Sequence, residues 1–402
     1  LQKKLVYASA AIGLVAICLL PVQANAADMT ASGHTLRQMD VKPYDIHKPL
    51  KRFKFDSGLT FKYPDAVRGI YVTGPSAGGE RFEKLIKLVN KTDLNSMVID
   101  VKEDYGNLTF KPQDKELADA SDDFIKDPRK MLERLEKEGI YPIARVVVFK
   151  DSVLAKKHPE LSFKQDGKVW KNGKGESFVN PFSKDVWEYN VKIAKMAAEL
   201  GFKEVQFDYV RFPEGFENKD KELEYTLGDY KDSKLDPVKR RVQAVTDFVK
   251  YAKNEMAAYD IDVSVDIFGY AATIPETPGI GQNFSKISEN VDVISSMIYP
   301  SHWTSYFGIE VPDKEPYRLV NEYAKVENNV LEKLKTPPVS RPWIQDFEAP
   351  WLYGGGNVMR YGKNEVEAQI KALNENGIKE YLLWNAGNTY TEGVDYTPLK
   401  KE

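Results

Sequence analysis

Gly201-Phe202-Lys203-Glu204-Val205-Gln206-Phe207-Asp208-Tyr209-Val210-Arg211-Phe212-Pro213 is the stretch on which the fold turns. A helical apolar period runs through 184–200 and stops at Gly201, where a helix commonly ends on a left-handed residue. From Glu204 the period changes to two. Val205, Phe207 and Tyr209 form one apolar face, so Gln206 and Asp208 point the opposite way. After Val210 about 26 residues pass before the next helical period opens at Pro237, a length typical of loops that carry function. The unit is therefore a helix, a tight turn, a strand and a long exit.

The same unit recurs along the chain. Strands are expected at 67–73, 96–102, 142–149, 204–210, 262–268, 293–299, 342–347 and 380–385. Helices are expected at 80–91, 128–138, 184–200, 237–259, 284–289, 317–334 and 365–376. Strands alternating with helices imply parallel strands joined by crossovers, and eight of them close a (β/α)₈ TIM barrel. Helix-to-strand turns are short, with Gly139 and Gly377 placed like Gly201. Strand-to-helix connections are long after Lys102 and Phe149 as after Val210, and all fall on the carboxyl face, where barrel enzymes build their sites. A doubly wound open sheet is the competing architecture. It is disfavoured because Thr73-Gly74-Pro75-Ser76-Ala77-Gly78-Gly79 has neither nucleotide-loop spacing.

The barrel is expected over 65–402. Residues 27–64, with Pro43, Pro49 and Pro64, read as a linker that drapes onto it. Residues 1–26 read as a secretory signal peptide: Lys3 and Lys4, an apolar run from Ala8 to Leu20, then Ala24-Asn25-Ala26 as the cleavage box. An uncleaved anchor is the alternative, while a lipoprotein is disfavoured because Ile17 precedes Cys18. Cys18 is the only cysteine of the 402 residues, so the mature chain relies on core burial, which suffices at this size. No other segment reaches transmembrane length. The formal charge of −3 becomes −5 once Lys3 and Lys4 leave, which argues against nucleic acid as a partner. A monomer secreted to the medium or cell wall is expected.

Alternation selects the candidate chemistry. Asp208 faces the barrel interior near the top of strand four, costly for a carboxylate unless it is paired or used. In Asp262-Val263-Ser264-Val265-Asp266-Ile267-Phe268-Gly269, Ser264 and Asp266 face in, placing Asp266 beside Asp208. Neighbouring strands lie about 4.8 Å apart, and two facing carboxyls push their proton affinities apart into one acid and one base. Strand two offers Asp100, Lys102 and Asp104 inward, as a substrate contact or a charge-balanced network. Strand three turns Arg145 inward, where Asp100 or Asp208 would pair it. Arg145, Arg211 and Lys102 are read as orienting the carboxylates. The phase of Trp343-Ile344-Gln345-Asp346-Phe347 is ambiguous, so Asp346 is a reserve acid. Tyr71, Tyr299, His302, Trp303, Trp351 and Trp384 gather at strand ends, where flat rings could stack on sugars. The four histidines, His34, His47, His158 and His302, show no metal-ligand spacing, and no Gly-x-Ser-x-Gly elbow occurs. Carboxylate acid–base chemistry without metal or cofactor is what remains.

At these residues the chain resembles a bacterial family of secreted glycoside-hydrolase domains, a domain of unknown function distantly similar to α-amylase-type barrels. The resemblance runs from about Tyr63 to Thr391. It rests on Val67-Arg68-Gly69-Ile70-Tyr71-Val72-Thr73, Val98-Ile99-Asp100-Val101-Lys102, Phe207-Asp208-Tyr209-Val210-Arg211-Phe212-Pro213, Asp266-Ile267-Phe268-Gly269, Met297-Ile298-Tyr299-Pro300-Ser301-His302 and Trp343-Ile344-Gln345-Asp346-Phe347. It implies the barrel and action on a polysaccharide. Amylase-type barrels carry the nucleophile at the end of strand four and the acid/base at the end of strand five, which correspond to Asp208 and Asp266. The strand-five acid there is Glu, whereas here it is the shorter Asp, which leaves Asp346 open for that role. The expected activity is retaining cleavage of a cell-wall, exopolysaccharide or environmental glycan. The rivals are a non-catalytic glycan-binding barrel and, disfavoured by the lack of an Asp/His/His set, a polysaccharide deacetylase.

Overall fold

The computed structural model describes residues 54–397 apart from 355 and 357. The signal-peptide expectation for 1–26, and the extension as far as residue 53, lie outside the described residues. Eight parallel strands form the barrel: β1 (Arg68–Val72), β2 (Ser96–Lys102), β3 (Tyr141–Val147), β4 (Glu204–Asp208), β5 (Asp262–Phe268), β6 (Val293–Met297), β7 (Trp343–Gln345) and β8 (Tyr381–Trp384). Each pairs with its successor, and β8 pairs with β1. Closure between β6 and β7 is brief. Met297 opposes Trp343, and the Ile298 N–H donates to the Trp343 carbonyl at 3.1 Å.

The main crossover helices are α1 (Arg81–Asn90), α2 (Pro128–Glu138), α3 (Lys184–Leu200), α4 (Pro237–Met256), α5 (Phe284–Ser288), α6 (Pro316–Leu331) and α7 (Lys363–Glu375). Their ends have local causes. Asp127 and Asp236 accept from the backbone N–H of Lys130 and Lys239, each followed by a proline that suits the first helical turn. Gly201 ends α3 at φ 117°, and a Cβ there would stand 2.6 Å from Leu59. Among the described residues no helix is long and apolar enough to cross a membrane.

Strand alternation divides the core into two layers. Val205, Phe207, Val263, Val265 and Ile267 face the helices and are fully buried. Phe207 meets Phe248 of α4 edge-on at 5.6 Å, and burying a side chain of that size stabilises by ~1.5–3 kcal/mol. Inside the barrel, Val98, Tyr141, Ile143, Trp343 and Leu382 form the second apolar layer. Below it, at the amino ends of the strands, Arg341 donates to Glu204 and Glu380, each at 2.8 Å. Tyr63, from the end of the N-terminal extension, caps this floor through Glu380.

Two local departures from regular strand geometry redirect side chains at the carboxyl ends. Alternation predicts β4 as far as Val210, but Tyr209 adopts φ 50° and turns the chain out of the barrel wall. In β2, Asp100 opposes Arg145 while Lys102 opposes Val146, so one extra residue bulges at Val101. A bulge resets the side-chain phase.

Candidate active site

At the carboxyl end of the barrel, Arg145 organises the charged side chains. It is 1% exposed and holds Asp208 Oδ2 through Nε at 3.0 Å and Nη2 at 2.6 Å. The same guanidinium donates to Asp100 at 2.8 Å and to Asp104 at 2.6 Å. β3 delivers Arg145, β2 and its exit loop deliver Asp100 and Asp104, and β4 delivers Asp208. Inward phase on neighbouring strands puts these groups within reach. The remaining Asp208 oxygen accepts the Tyr209 N–H at 2.6 Å, a bond made possible by the left-handed turn at Tyr209. Such non-glycine conformations are strained and persist where the surroundings over-determine them.

Asp266 lies one strand further on. Phe207 opposes Val265, so the next residues along, Asp208 at the end of β4 and Asp266 two residues before the end of β5, stand side by side. Their environments differ sharply. Asp208 has a buried cation in contact, whereas the bond to Asp266 comes from a neutral donor, Trp343 Nε1–H, at 2.7 Å. Burial first, and the Asp208 charge second, hold Asp266 well above the usual carboxylate range; the Trp343 bond and the more distant Arg145 oppose this. Burial also pushes Asp100 up to about 6, although Arg145 and the Tyr71 hydroxyl pull it down. At Asp104 burial is outweighed by Arg145 and Lys150 together, which hold it well below the ordinary value. The strand ends thus contain one carboxyl inclined to keep its proton beside one clamped by a guanidinium.

Aromatic rings close over the pair. Tyr71 stacks on Trp384 at 4.1 Å and donates its hydroxyl to Asp100 at 2.6 Å. Arg145 sits 5.4 Å from the centre of each of those rings. Tyr299 touches Trp384 and Phe347. His302 meets Phe347 and Trp351 edge-on, and burial keeps its imidazole below the usual value. Trp351 is 60% exposed, while Asp208 is 5% and Asp266 1% exposed.

Tyr71, Asp100, Arg145, Asp208, Asp266, Tyr299 and Trp384 thus share one cluster, with His302 and Trp351 on its rim. Four expected members lie elsewhere. Past the β2 bulge, Lys102 points into the helix layer, where it pairs with Asp151 at 2.6 Å, both side chains being 0% exposed. Arg211 follows the turn at Tyr209, so strand alternation does not apply to it. It stacks between Tyr209 and Phe268 and bonds the Phe212 carbonyl and Glu214. Trp303 leaves the 3₁₀ turn Pro300–His302 on the side opposite His302 and packs on Phe307 and Tyr323 of the outer core. Asp346 falls out of phase because Trp343 takes the inward position; its oxygens accept the Thr391 N–H and hydroxyl at 3.0 and 2.6 Å.

Strand periodicity missed three contributors. Trp343 was hidden by the uncertain phase of β7. Lys150 and the Tyr209 hydroxyl both reach Asp104 from beyond strand ends, where periodicity gives no signal.

The sequence profile of a family described as "Putative glycosyl hydrolase domain" matches residues 69–390. Among solved structures, a hypothetical protein from Ruminiclostridium thermocellum is 29% identical, with a TM-score of 0.42, over 48% of this chain and 96% of that one. The PgaB (BpsB) glycoside hydrolase domain from Bordetella bronchiseptica is 15% identical, with a TM-score of 0.56, over 80% of this chain and 94% of that one. At that identity the likeness speaks for the fold alone. Among curated protein sequences none matches the chain.

Proposed function

Because the chain belongs to this family of glycosyl hydrolase domains, we propose that it cleaves a polysaccharide by retention, with Asp208 as nucleophile and Asp266 as general acid and then base. One observation carries the reading. Two carboxyls stand on adjacent strands, the first clamped by Arg145 and the second bonded by a neutral indole N–H. Double displacement needs two neighbouring carboxyls in unlike environments, one to attack and one to carry the proton.

In the first step Asp266 gives its proton to the glycosidic oxygen while Asp208 attacks the anomeric carbon. The leaving sugar departs with the proton, and a glycosyl ester forms on Asp208. In the second step Asp266, now ionised, takes a proton from water, whose oxygen attacks the same carbon and releases Asp208. Retaining enzymes hold their carboxyls about 5–5.5 Å apart, which suits neighbouring strands about 4.8 Å apart. Arg145 holds the Asp208 carboxyl aimed through Nε and Nη2. Tyr71, Tyr299, Trp384, His302 and Trp351 receive the sugar rings. The export-signal composition of residues 1–26 supports an activity outside the cytoplasm, on a wall, exopolysaccharide or environmental glycan.

The test is reducing-sugar release from a polysaccharide panel. On the glycan that is cleaved, Asp208→Asn is expected to lower kcat by several orders of magnitude, with affinity changed only a few-fold. NMR of the first-formed product should show the starting anomeric configuration. An inverted product excludes Asp208 and Asp266 as nucleophile and acid/base. Tight binding of a glycan that is never cleaved overturns the enzyme reading in favour of a binding barrel.

A further inference from the structure

Among the described residues Trp343 is the one neutral side-chain donor that touches the proposed acid, and it comes from an unexpected place. It stands on β7, two strands from Asp266 on β5. Between them, β6 turns Ser295 toward the interior, opposite Asp266 in register, where it meets the Gln206 side chain. A serine is small enough to let an indole cross. The indole is 1% exposed and has edge contacts with Tyr71 at 6.5 Å and Trp384 at 5.4 Å. Its backbone is fixed at the point where β6 and β7 close the barrel. The ring therefore has little freedom to leave Asp266 Oδ1, 2.7 Å from Nε1.

An indole N–H can only donate. The oxygen facing it accepts, and the carbonyl oxygen of a carboxyl is a better acceptor than its hydroxyl oxygen, so in the protonated acid Oδ1 is the carbonyl oxygen and the proton resides on Oδ2. We propose that Trp343 is a positioning residue that assigns the transferable proton of Asp266 to Oδ2 and holds the carboxylate in the same orientation when it acts as base. The inference rests on Asp266 being the acid/base. Both steps described above use that one oxygen, and the donor on the other removes the choice between them. The other groups facing Asp266 do not substitute for it. Burial and the Asp208 and Glu204 charges on β4 disfavour its charge; Arg145 on β3 favours it but is committed to Asp100, Asp104 and Asp208.

Trp343→Phe keeps most of the ring volume and removes the donor. With the N–H gone, the Asp266 carboxylate loses a stabilising partner, so the basic limb of the kcat/KM profile should move up by about one pH unit. The base step should suffer more than the acid step. kcat is then expected to fall about tenfold with KM falling alongside it, and the glycosyl ester on Asp208 should accumulate in the intact mass. An unchanged basic limb with kcat and KM near those of the native protein overturns the proposal. A second readout needs no turnover. The infrared carbonyl stretch of protonated Asp266, identified by its loss in Asp266→Asn, should rise in frequency in Trp343→Phe because a hydrogen bond to the carbonyl oxygen is gone. If it does not move, the assignment of the proton to Oδ2 is wrong. If it moves while no glycan is ever cleaved, the hydrogen bond stands and the hydrolase reading fails.

Discussion

Asp100 shows how one residue can answer two demands. It balances Arg145 and orders Tyr71, yet at 2% exposure it is held where a carboxylate is poorly solvated. Burial raises it to about 6 in the folded protein, against about 3.9 in an unfolded chain. A carboxyl raised on folding binds more protons in the native state, so its contribution to stability falls as pH rises from about 4 to about 6 and then levels off. Two pKa units correspond to ~3 kcal/mol. In Asp100→Asn the decline in unfolding free energy between pH 4 and pH 7 should therefore be smaller by about that amount. Denaturant titrations of both proteins at the two pH values measure it, and equal declines would show that Asp100 ionises normally. Asp262, pushed up to about 6 mainly by burial, titrates in both proteins and cancels in the comparison.

Among the elements, β2 shows how a single inserted residue redistributes roles. Its last four residues, Ile-Asp-Val-Lys, alternate apolar and polar, and alternation alone sends Asp100 and Lys102 the same way. The bulge at Val101 instead leaves Asp100 facing Arg145 and sends Lys102 to Asp151 and the Asn190 side chain of α3. An ion pair buried that deeply contributes little net stability as a pair, but removing one partner strands a charge and costs about 3–5 kcal/mol. Lys102→Met should lose that much in chemical unfolding while KM for a cleaved glycan stays within about two-fold. A large rise in KM with unchanged stability would return Lys102 to the site. The turn at Tyr209 works similarly on Arg211. The strand ends are where the backbone leaves regular geometry, so side-chain direction there is set by local φ and ψ rather than by period.

The whole barrel has chemistry at both ends, serving different purposes. The upper network around Arg145 reaches solvent at Asp104, whose side chain is 42% exposed, whereas at the floor Arg341 and Glu204 are 0% exposed, held with Glu380 and Tyr63. The floor network links β4, β7 and the residue preceding β8, and thus staples across the brief β6–β7 closure. Arg341→Met should destabilise by about 3–5 kcal/mol at neutral pH, with a smaller loss in acid, where an uncompensated buried carboxylate takes up a proton. Equal loss at pH 4 and pH 7 would show that Arg341 acts through packing alone.

What the sequence by itself determined is what short-range physics controls. Period two or 3.6, capping residues and glycines at helix ends act within a few residues, and they placed β2, β5, α2 and α3 to the residue. Through strand phase they also turned Asp208, Asp266 and Arg145 inward. Only the tertiary structure decided what those side chains meet. The β2 bulge, the left-handed Tyr209, the inward Trp343 and the pairing of Asp346 with Thr391 all depend on contacts between segments far apart in the chain, where packing chooses among conformations that local preference leaves nearly equal in energy. The donor on Asp266 is the clearest case. Residues 266 and 343 meet only because the barrel closes and a serine on β6 leaves room between them.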